Sequence, residues 1–493
     1  MSTTLFLGPP GTGKTTTLLN LVDDYLSSGG IVEKIGFISF TKKAVNEAVD
    51  RAAERFCIGK KHFLYFRTIH SLCFMQLGMS KNEVMSREHY RDFGHVVGMS
   101  VSGYQRQDQM MYELPEGDQL AFLESLARLM CLPLEEAWRQ IENDVDFHKL
   151  DYFRRSYEEF KKVNMLYDFT DMLVNFNDRG VVPELDLLIV DEAQDLCKLQ
   201  WEIIEKLSKK AARIYIAGDD DQAIFRWSGA DIEYFLSLSK RYETKVLTQS
   251  YRLPKKVFEI SNSLVKQIQN RNEKSFLPTA SAGKAEIVGD IERIPLEVGE
   301  WLILVRNTYM MEDVIKYLMA MGFPYRTNTY SSQEDPALKA AFAWERLRAG
   351  GTVGHKEARD VLSFMRGNKT IAGDKDSAFT MKDICQAIGR DLSKVIWHDA
   401  LDRIPVEDRE YYIAARGRGE ALNRTPRIKV STIHGAKGGE CANVVVFTDL
   451  SLRTFKAMQM NYEDEVRVFY VAVTRAKERL YIVQPRSPNC FLI

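Results

Sequence analysis

The sequence predicts an α/β fold with mainly parallel sheets, and three observations carry that prediction. Residues 4–7, TLFL, form a short apolar run followed by the glycine-rich loop GPPGTGKT at residues 8–15. The stretch TTLLNLVDDYL then sets Leu18, Leu19, Val22 and Leu26 on one helical face. A second apolar run, residues 187–190, ends in Asp191 and Glu192. A third, ARIYIAG, runs into GDDDQAIFRWSGA at residues 218–230. Strands that alternate with helices in this way belong to the α/β class.

At 493 residues the chain is too long for one ordinary core, so two to four domains are expected. The apolar share of 45% and charged share of 27% suit a soluble globular protein. A net charge of −1 excludes a global basic field, so any nucleic acid must be held in a local cleft. No apolar run reaches the roughly 18 residues a membrane span needs. MSTTLFLGPPG lacks the charged and apolar regions of a signal peptide. The cysteines, Cys57, Cys73, Cys131, Cys197, Cys385, Cys441 and Cys490, are scattered and odd in number, which favours reduced thiols in a cytosolic protein over a metal or disulfide framework.

Strand, glycine loop and helix are the context of a phosphate-binding loop. Its glycines let backbone N–H groups curl round phosphate oxygens at a helix N-terminus. Gly8, Pro9, Pro10, Gly11, Thr12, Gly13, Lys14, Thr15 and Thr16 are the expected nucleotide contacts. Lys14 would reach the β- and γ-phosphates, and the Thr15 hydroxyl would bind Mg²⁺. Asp191, at the end of its apolar strand, is a second Mg²⁺ ligand, and Glu192 is placed to orient and deprotonate water. Together these motifs predict an NTPase that uses Mg²⁺. The loop at 218–230 is less decided. Its three acids suit either a metal–phosphate site or a solvated turn, and Phe225 and Trp227 suit either a stacking surface or core.

Further stretches fall into a fixed order with these: ISFTKKAVNEAVDRA, RTIHSLC, LTQSYRLP, WLILVRNTY, VSTIHGAKGGECANVVVF and VFYVAVTRAKERLYIV. The set, spanning residues 8–483, resembles the UvrD/Rep family of superfamily 1 helicases. The resemblance implies that Gln222 senses the γ-phosphate while Phe225 and Trp227 stack on bases of single-stranded DNA, so that one loop connects nucleotide occupancy to strand grip. Asp221 resembles the family's acid beside that glutamine, and Asp219 and Asp220 read as turn acids. Arg252 and Arg475 match the family's arginine fingers, Tyr251 its adenine-stacking residue, and Glu440 a nucleotide contact from the second motor domain. Phe40 resembles a base-stacking residue. Thr41, Thr68, His70, Thr432 and His434 resemble phosphate-side contacts, which position a strand without reading its sequence. Val466, Phe469, Tyr470 and Val473 make an i, i+3, i+4, i+7 stripe, which puts Arg475 about 180° round at roughly 100° per residue, off the buried face.

The family's pattern also shows departures. The loop begins at residue 8, leaving no room for the upstream glutamine that reads adenine, so ATP-over-GTP selectivity is not accounted for. Thr16 and Ser228 stand where the family has arginines, Ser250 where it has asparagine, and Gly439 where it has leucine. The expected architecture is two RecA-like cores with mainly parallel sheets, each carrying an inserted helical subdomain. Residues 1–75 and 166–249 form the first core, 76–165 its insertion, 250–330 and 427–493 the second core, and 331–426 a shortened second insertion. In the insertions DQLAFLESLARLM, EEAWRQI, DYFRRSYEEFKKV, KEARDVLSFM, MKDICQAIG and KVIWHDALDRI read as helices. The last strand ends near residue 483, so no appended nuclease or interaction domain is expected.

The resemblance implies an intracellular, ATP-driven translocase and helicase, active as a monomer on single-stranded DNA and single–double-strand junctions. It implies 3′→5′ movement in replication, repair or recombination, alongside proteins of those processes. A DNA-gated ATPase switch without unwinding is the competing reading.

Overall fold

The computed structural model describes residues 2–40, 42–103, 111, 114–141, 143–367 and 370–493. Its first sheet contains β1 (Ser2–Leu7), β2 (Ile35–Ser39), β3 (Tyr65–Thr68), β4 (Leu185–Asp191), β5 (Ala211–Gly218) and β6 (Glu243–Val246). They are all parallel, in the order β3-β2-β4-β5-β1-β6. The near-continuous apolar runs of the central strands follow from burial on both faces. Alternation along β4 shows it: Leu187 and Ile189 pack with Phe37, Leu18 and Val22 on one side. Leu188 and Val190 pack with Ile216, Leu72 and Leu173 on the other.

β7 (Lys284–Val288), β8 (Trp301–Val305), β9 (Tyr325–Arg326), β10 (Val353–Gly354), β11 (Ala378–Phe379), β12 (Ile428–Thr432), β13 (Cys441–Phe447) and β14 (Ala476–Val483) complete the strands. The second sheet, also parallel, has the order β7-β14-β13-β8-β12-β9, and β10 and β11 pair separately as a short antiparallel ribbon. Leu304, Val446 and Leu480 on one face pack under the helices Lys255–Val265 and Tyr462–Val473.

Helices Arg87–Val97, Glu116–Leu129, Leu134–Gln140 and Phe147–Val163 lie between β3 and β4 and share their own core around Phe93, Leu123 and Phe153. Between β9 and β12 lie the helices Pro336–Arg348, His355–Ser363, Met381–Ile388, Trp397–Ala400 and Val406–Gly417. Their core is continuous with the second sheet: Trp344, Val361 and Tyr411 belong to the same buried cluster as Ile303 and Val430. KVIWHDALDRI is helical only at Trp397–Ala400. The chain turns there to bury Trp397, Leu401 and Ile404, and the Arg403 N–H donates to Phe364 O instead of continuing a helix.

Candidate nucleotide and strand site

The loop after β1 is held by the sheet and by the second lobe. Gly8 N–H donates to Gly218 O at the end of β5 (2.9 Å), and the helix Lys14–Ser27 begins after Gly13. Gly11 and Gly13 have φ of 71° and 78°, a left-handed backbone that glycine adopts without strain. A Cβ on Gly8 would lie 2.1 Å from Lys14 Cγ, and one on Gly11 2.3 Å from Arg252 Cβ, so neither position has room for a side chain. Ser250 Oγ donates to Pro10 O (2.8 Å) and Tyr251 N–H to Gly11 O (2.8 Å), seating residues 250–252 on the phosphate loop.

Around this loop one cleft of about 1590 Å³ gathers Lys14, Thr15, Asp191, Glu192, Gln222, Tyr251, Arg252, Glu440 and Arg475. Its place beyond the carboxyl ends of β1, β4 and β5 is where open parallel sheets bind ligands. Lys14 Nζ donates to Gly8 O (2.9 Å) and lies 3.8 Å from Glu192 Oε1. Thr15 Oγ1 donates to Asp191 Oδ2 (3.3 Å), which brings together a hydroxyl and a carboxylate suited to a hard divalent cation. Burial, reinforced by neighbouring Glu192, pushes the Asp191 carboxyl up to about 7. Burial also acts on Glu192, but Lys14 and Lys437 outweigh it and hold that carboxyl below its usual range. One acid of the pair is thus biased toward its protonated form and the other kept as a carboxylate; a cation held by Asp191 would favour its ionised form, since a carboxylate binds metal when deprotonated.

Arg475 crosses to the first lobe. Its Nη2 donates to Gln222 Oε1 (2.9 Å), while Nε and Nη1 donate to Val471 O and Gly439 O of its own lobe (3.0 and 3.1 Å). It is 2% exposed, contrary to the outward position expected from the stripe. The helix Tyr462–Val473 is buried all round from Glu465 onward and ends before Arg475, so its periodicity does not extend to that residue. Burial lowers the Arg475 guanidinium to about 9, with Arg252 adding to the effect. Arg252 is paired with Glu440 through Nε and Nη2 (2.7 and 2.6 Å), and Lys477 Nζ donates to the other Glu440 oxygen (3.1 Å). Tyr251 is 76% exposed and Thr16 is exposed, while Pro9, Pro10 and Thr12 are buried in the loop.

The residues expected to touch a strand form a second group. Phe40 stacks on Phe225 (centroids 5.6 Å apart), and His434 lies 6.0 Å from Phe225 and 6.1 Å from Trp227. Phe225 is only 5% exposed, so its surface is already occupied in this arrangement. Trp227 is half-buried and stacks on Phe122 of the first insertion (6.0 Å, 15° between planes). Its neighbours in sequence are polar, but its partner in space is apolar. Thr68 accepts from Ser71 N–H to cap the helix Ile69–Gln76, and Thr432 accepts from Gly435 N–H. Burial lowers His70 to about 4 and places His434 well below its ordinary value, so both imidazoles are neutral at pH 7. Thr41 lies outside the described residues.

Asp219 and Asp220 are not solvated turn acids. Both are 0% exposed and Asp221 is 1% exposed, because cations from the second lobe cover them. Other residues in the site went unassigned in the sequence. Lys437 Nζ donates to Asp195 Oδ1 and Gln222 O (both 2.6 Å) and sits 5.0 Å from the Phe225 centroid, joining the two groups of residues. Gln194 donates to Glu192 Oε2 (2.6 Å) and accepts from Asp219 N–H (3.0 Å). Lys437 and Gln194 lie within recognisable motifs, but their partners are distant in sequence.

The family model for the UvrD/REP helicase N-terminal domain matches residues 1–243, and that for the UvrD-like helicase C-terminal domain matches residues 414–487. The chain belongs to the UvrD/Rep-like helicase family. It is similar to the ATP-dependent DNA helicase PcrA of Staphylococcus epidermidis, with 25% identity over 393 residues covering 76% of this chain and 52% of that protein. The PcrA of Bacillus subtilis is 24% identical over 394 residues, with the same coverage. That of Staphylococcus aureus is 22% identical over 391 residues, covering 73% and 51%. The chain therefore spans about half the length of the curated relatives it matches. The family and the two parallel sheets agree with the fold expected from the motifs.

Proposed function

We propose that the chain is an ATP-driven translocase and helicase on single-stranded DNA that moves 3′→5′ in replication, repair or recombination. The observation that carries the proposal is the crossing of Arg475 to Gln222 over the same cleft that holds Lys14 and Arg252. Charge that develops on a γ-phosphate would then meet cations from both lobes, which ties hydrolysis to lobe closure. Thr15 and Asp191 would hold the Mg²⁺, which neutralises phosphate charge when bound. Lys14 would bind the phosphates, Glu192 would accept a proton from water, and Tyr251 would stack on the base. Gln222 touches Arg475 on one side, and its loop continues to Phe225 and Trp227 on the other. A change at the nucleotide would thereby reach the aromatic group, whose stacking on bases is tolerant of sequence.

Strand displacement on 3′-tailed and 5′-tailed duplexes tests this reading. ATP-dependent displacement of the 3′-tailed duplex alone is expected, and displacement of the 5′-tailed duplex alone would overturn the polarity. One observation favours the second reading, a DNA-gated ATPase that does not unwind: the second insertion shares a core with its sheet. Strong ATPase stimulation with neither duplex displaced would select that reading.

A further inference from the structure

The loop that carries Gln222 is gripped from the second lobe by a turn the family motifs leave unassigned. Residues 269–274 follow the helix Lys255–Val265. The side chain of Lys274 is 1% exposed and ends among three consecutive carboxylates. Its Nζ lies 3.1 Å from Asp219 Oδ1, 2.5 Å from Asp220 Oδ1 and 3.0 Å from Asp221 Oδ2. Arg271 pairs with both oxygens of Asp221 (2.8 and 2.6 Å), and Asn272 N–H donates to Asp220 Oδ2 (2.9 Å). Arg467 ties the two segments together by donating to Asp220 O (3.1 Å) and Asn270 O (2.8 Å). Three buried negative charges are thus met by cations that all come from the other lobe, as buried charge requires.

Such a cluster could serve only to join the lobes. The contact that gives it a further consequence is that of Asp219 with Gln222, whose Nε2 donates to Asp219 Oδ2 (2.7 Å) while its Oε1 accepts from Arg475 Nη2 (2.9 Å). A carboxylate only accepts and a guanidinium only donates, so the amide has one orientation that satisfies both partners. Lys274 holds one oxygen of Asp219, and Gln222 holds the other. We propose that Lys274 is a positioning residue for ATP hydrolysis, acting through Asp219 to keep the Gln222 carbonyl oxygen turned toward Arg475. The second lobe then sets the orientation of the nucleotide sensor as well as supplying the arginine that faces it. This inference rests on Gln222 acting at the nucleotide.

The test is steady-state, oligo-dT-stimulated ATPase of Lys274→Met, Lys274→Arg, Gln222→Ala and the double variant Lys274→Met/Gln222→Ala. Lys274→Met is expected to lower kcat about tenfold to a hundredfold with KM for ATP within about threefold, since a misplaced group costs turnover more than binding. Lys274→Arg, which keeps the charge, is expected to recover most of that loss. In the Gln222→Ala background the Lys274 change is expected to cost less than about twofold, because groups acting in series are not additive. A wild-type kcat for Lys274→Met, or losses that multiply in the double variant, would overturn the proposal. If Lys274→Met does not fold, Asp219→Asn replaces it, with the same kcat loss and the same non-additivity expected. A wild-type kcat for Gln222→Ala would overturn the reading of Gln222 itself and the proposal with it. An impaired Gln222→Ala beside an unaffected Lys274→Met would overturn the proposal alone.

Discussion

Replacing Arg475 by alanine separates two scales of energy that the structure places on one side chain. Three of its four hydrogen bonds stay within the second lobe, to Val471 O, Gly439 O and the Thr474 hydroxyl, and one crosses to Gln222. A hydrogen bond contributes about 0.5–1.5 kcal/mol net, so losing the three anchors costs roughly 1.5–4.5 kcal/mol of stability. A cation facing the charge that develops on a transferring phosphoryl group is worth about 10³–10⁵ in rate. At about 1.36 kcal/mol per decade that is roughly 4–7 kcal/mol, mostly above the anchoring loss. Arg475→Ala should therefore lower the DNA-stimulated kcat by about 10³ or more while the folded population stays high. Arg475→Lys should fall between the two, because an ammonium keeps the charge and loses the planar fork. The assay is steady-state ATP hydrolysis at saturating oligo-dT, with a thermal melt of each variant. A kcat loss below about tenfold in a folded Arg475→Ala protein would show that Arg475 does not face the transferring phosphoryl group.

Lys14→Ala should abolish ATPase and retain DNA binding measured by fluorescence anisotropy; turnover at the wild-type rate would refute the phosphate-loop assignment. Trp227→Ala should weaken single-strand binding by about 1–3 kcal/mol and uncouple hydrolysis from movement, whereas unchanged affinity and translocation would leave Trp227 as packing against Phe122. The Asp191 carboxyl, raised to about 7 chiefly by burial, favours the folded state in its protonated form. That contribution is complete below the ordinary carboxylate range and is lost as pH rises through about 7. In nucleotide-free protein Asp191→Asn should therefore lose less Tm than wild type between about pH 5 and pH 8. An equal loss in both would contradict the shift.

Local pattern was sufficient for the elements that hold the site. β1, β4 and β5 are short apolar runs that each end in a polar loop, and burial on both faces accounts for those runs. Lys14, Thr15, Asp191 and Glu192 were legible for the same reason, since each sits at a strand end or a loop tip next to the cleft, whereas Gln222, Tyr251, Arg252, Glu440 and Arg475 were expected only through the family resemblance. Contacts made across long stretches of chain were not. Lys437 meets Asp195 over a separation of 242 residues, and nothing near either residue signals the other. Asp219, Asp220 and Asp221 look solvated until Lys274 is placed beneath them. Trp227 has polar neighbours in sequence and Phe122 in space. The burial of Arg475 follows from lobe packing, which no helical wheel encodes. Residues 331–426 read as an inserted helical subdomain, and no pattern within them signals that Trp344 and Tyr411 share a buried cluster with Ile303 and Val430 of the adjoining sheet.

The coupling of nucleotide to strand is tested most directly by the ATPase rate of the wild-type chain with and without oligo-dT. Lys437 contacts Gln222 and Phe225 together, and Arg475 contacts Gln222 from the other lobe, so occupancy of the aromatic group should alter the hydrolytic site. A rate increase of about tenfold or more is expected on adding the strand, as when binding completes a catalytic arrangement. Robust hydrolysis at the same rate with and without the strand would contradict it.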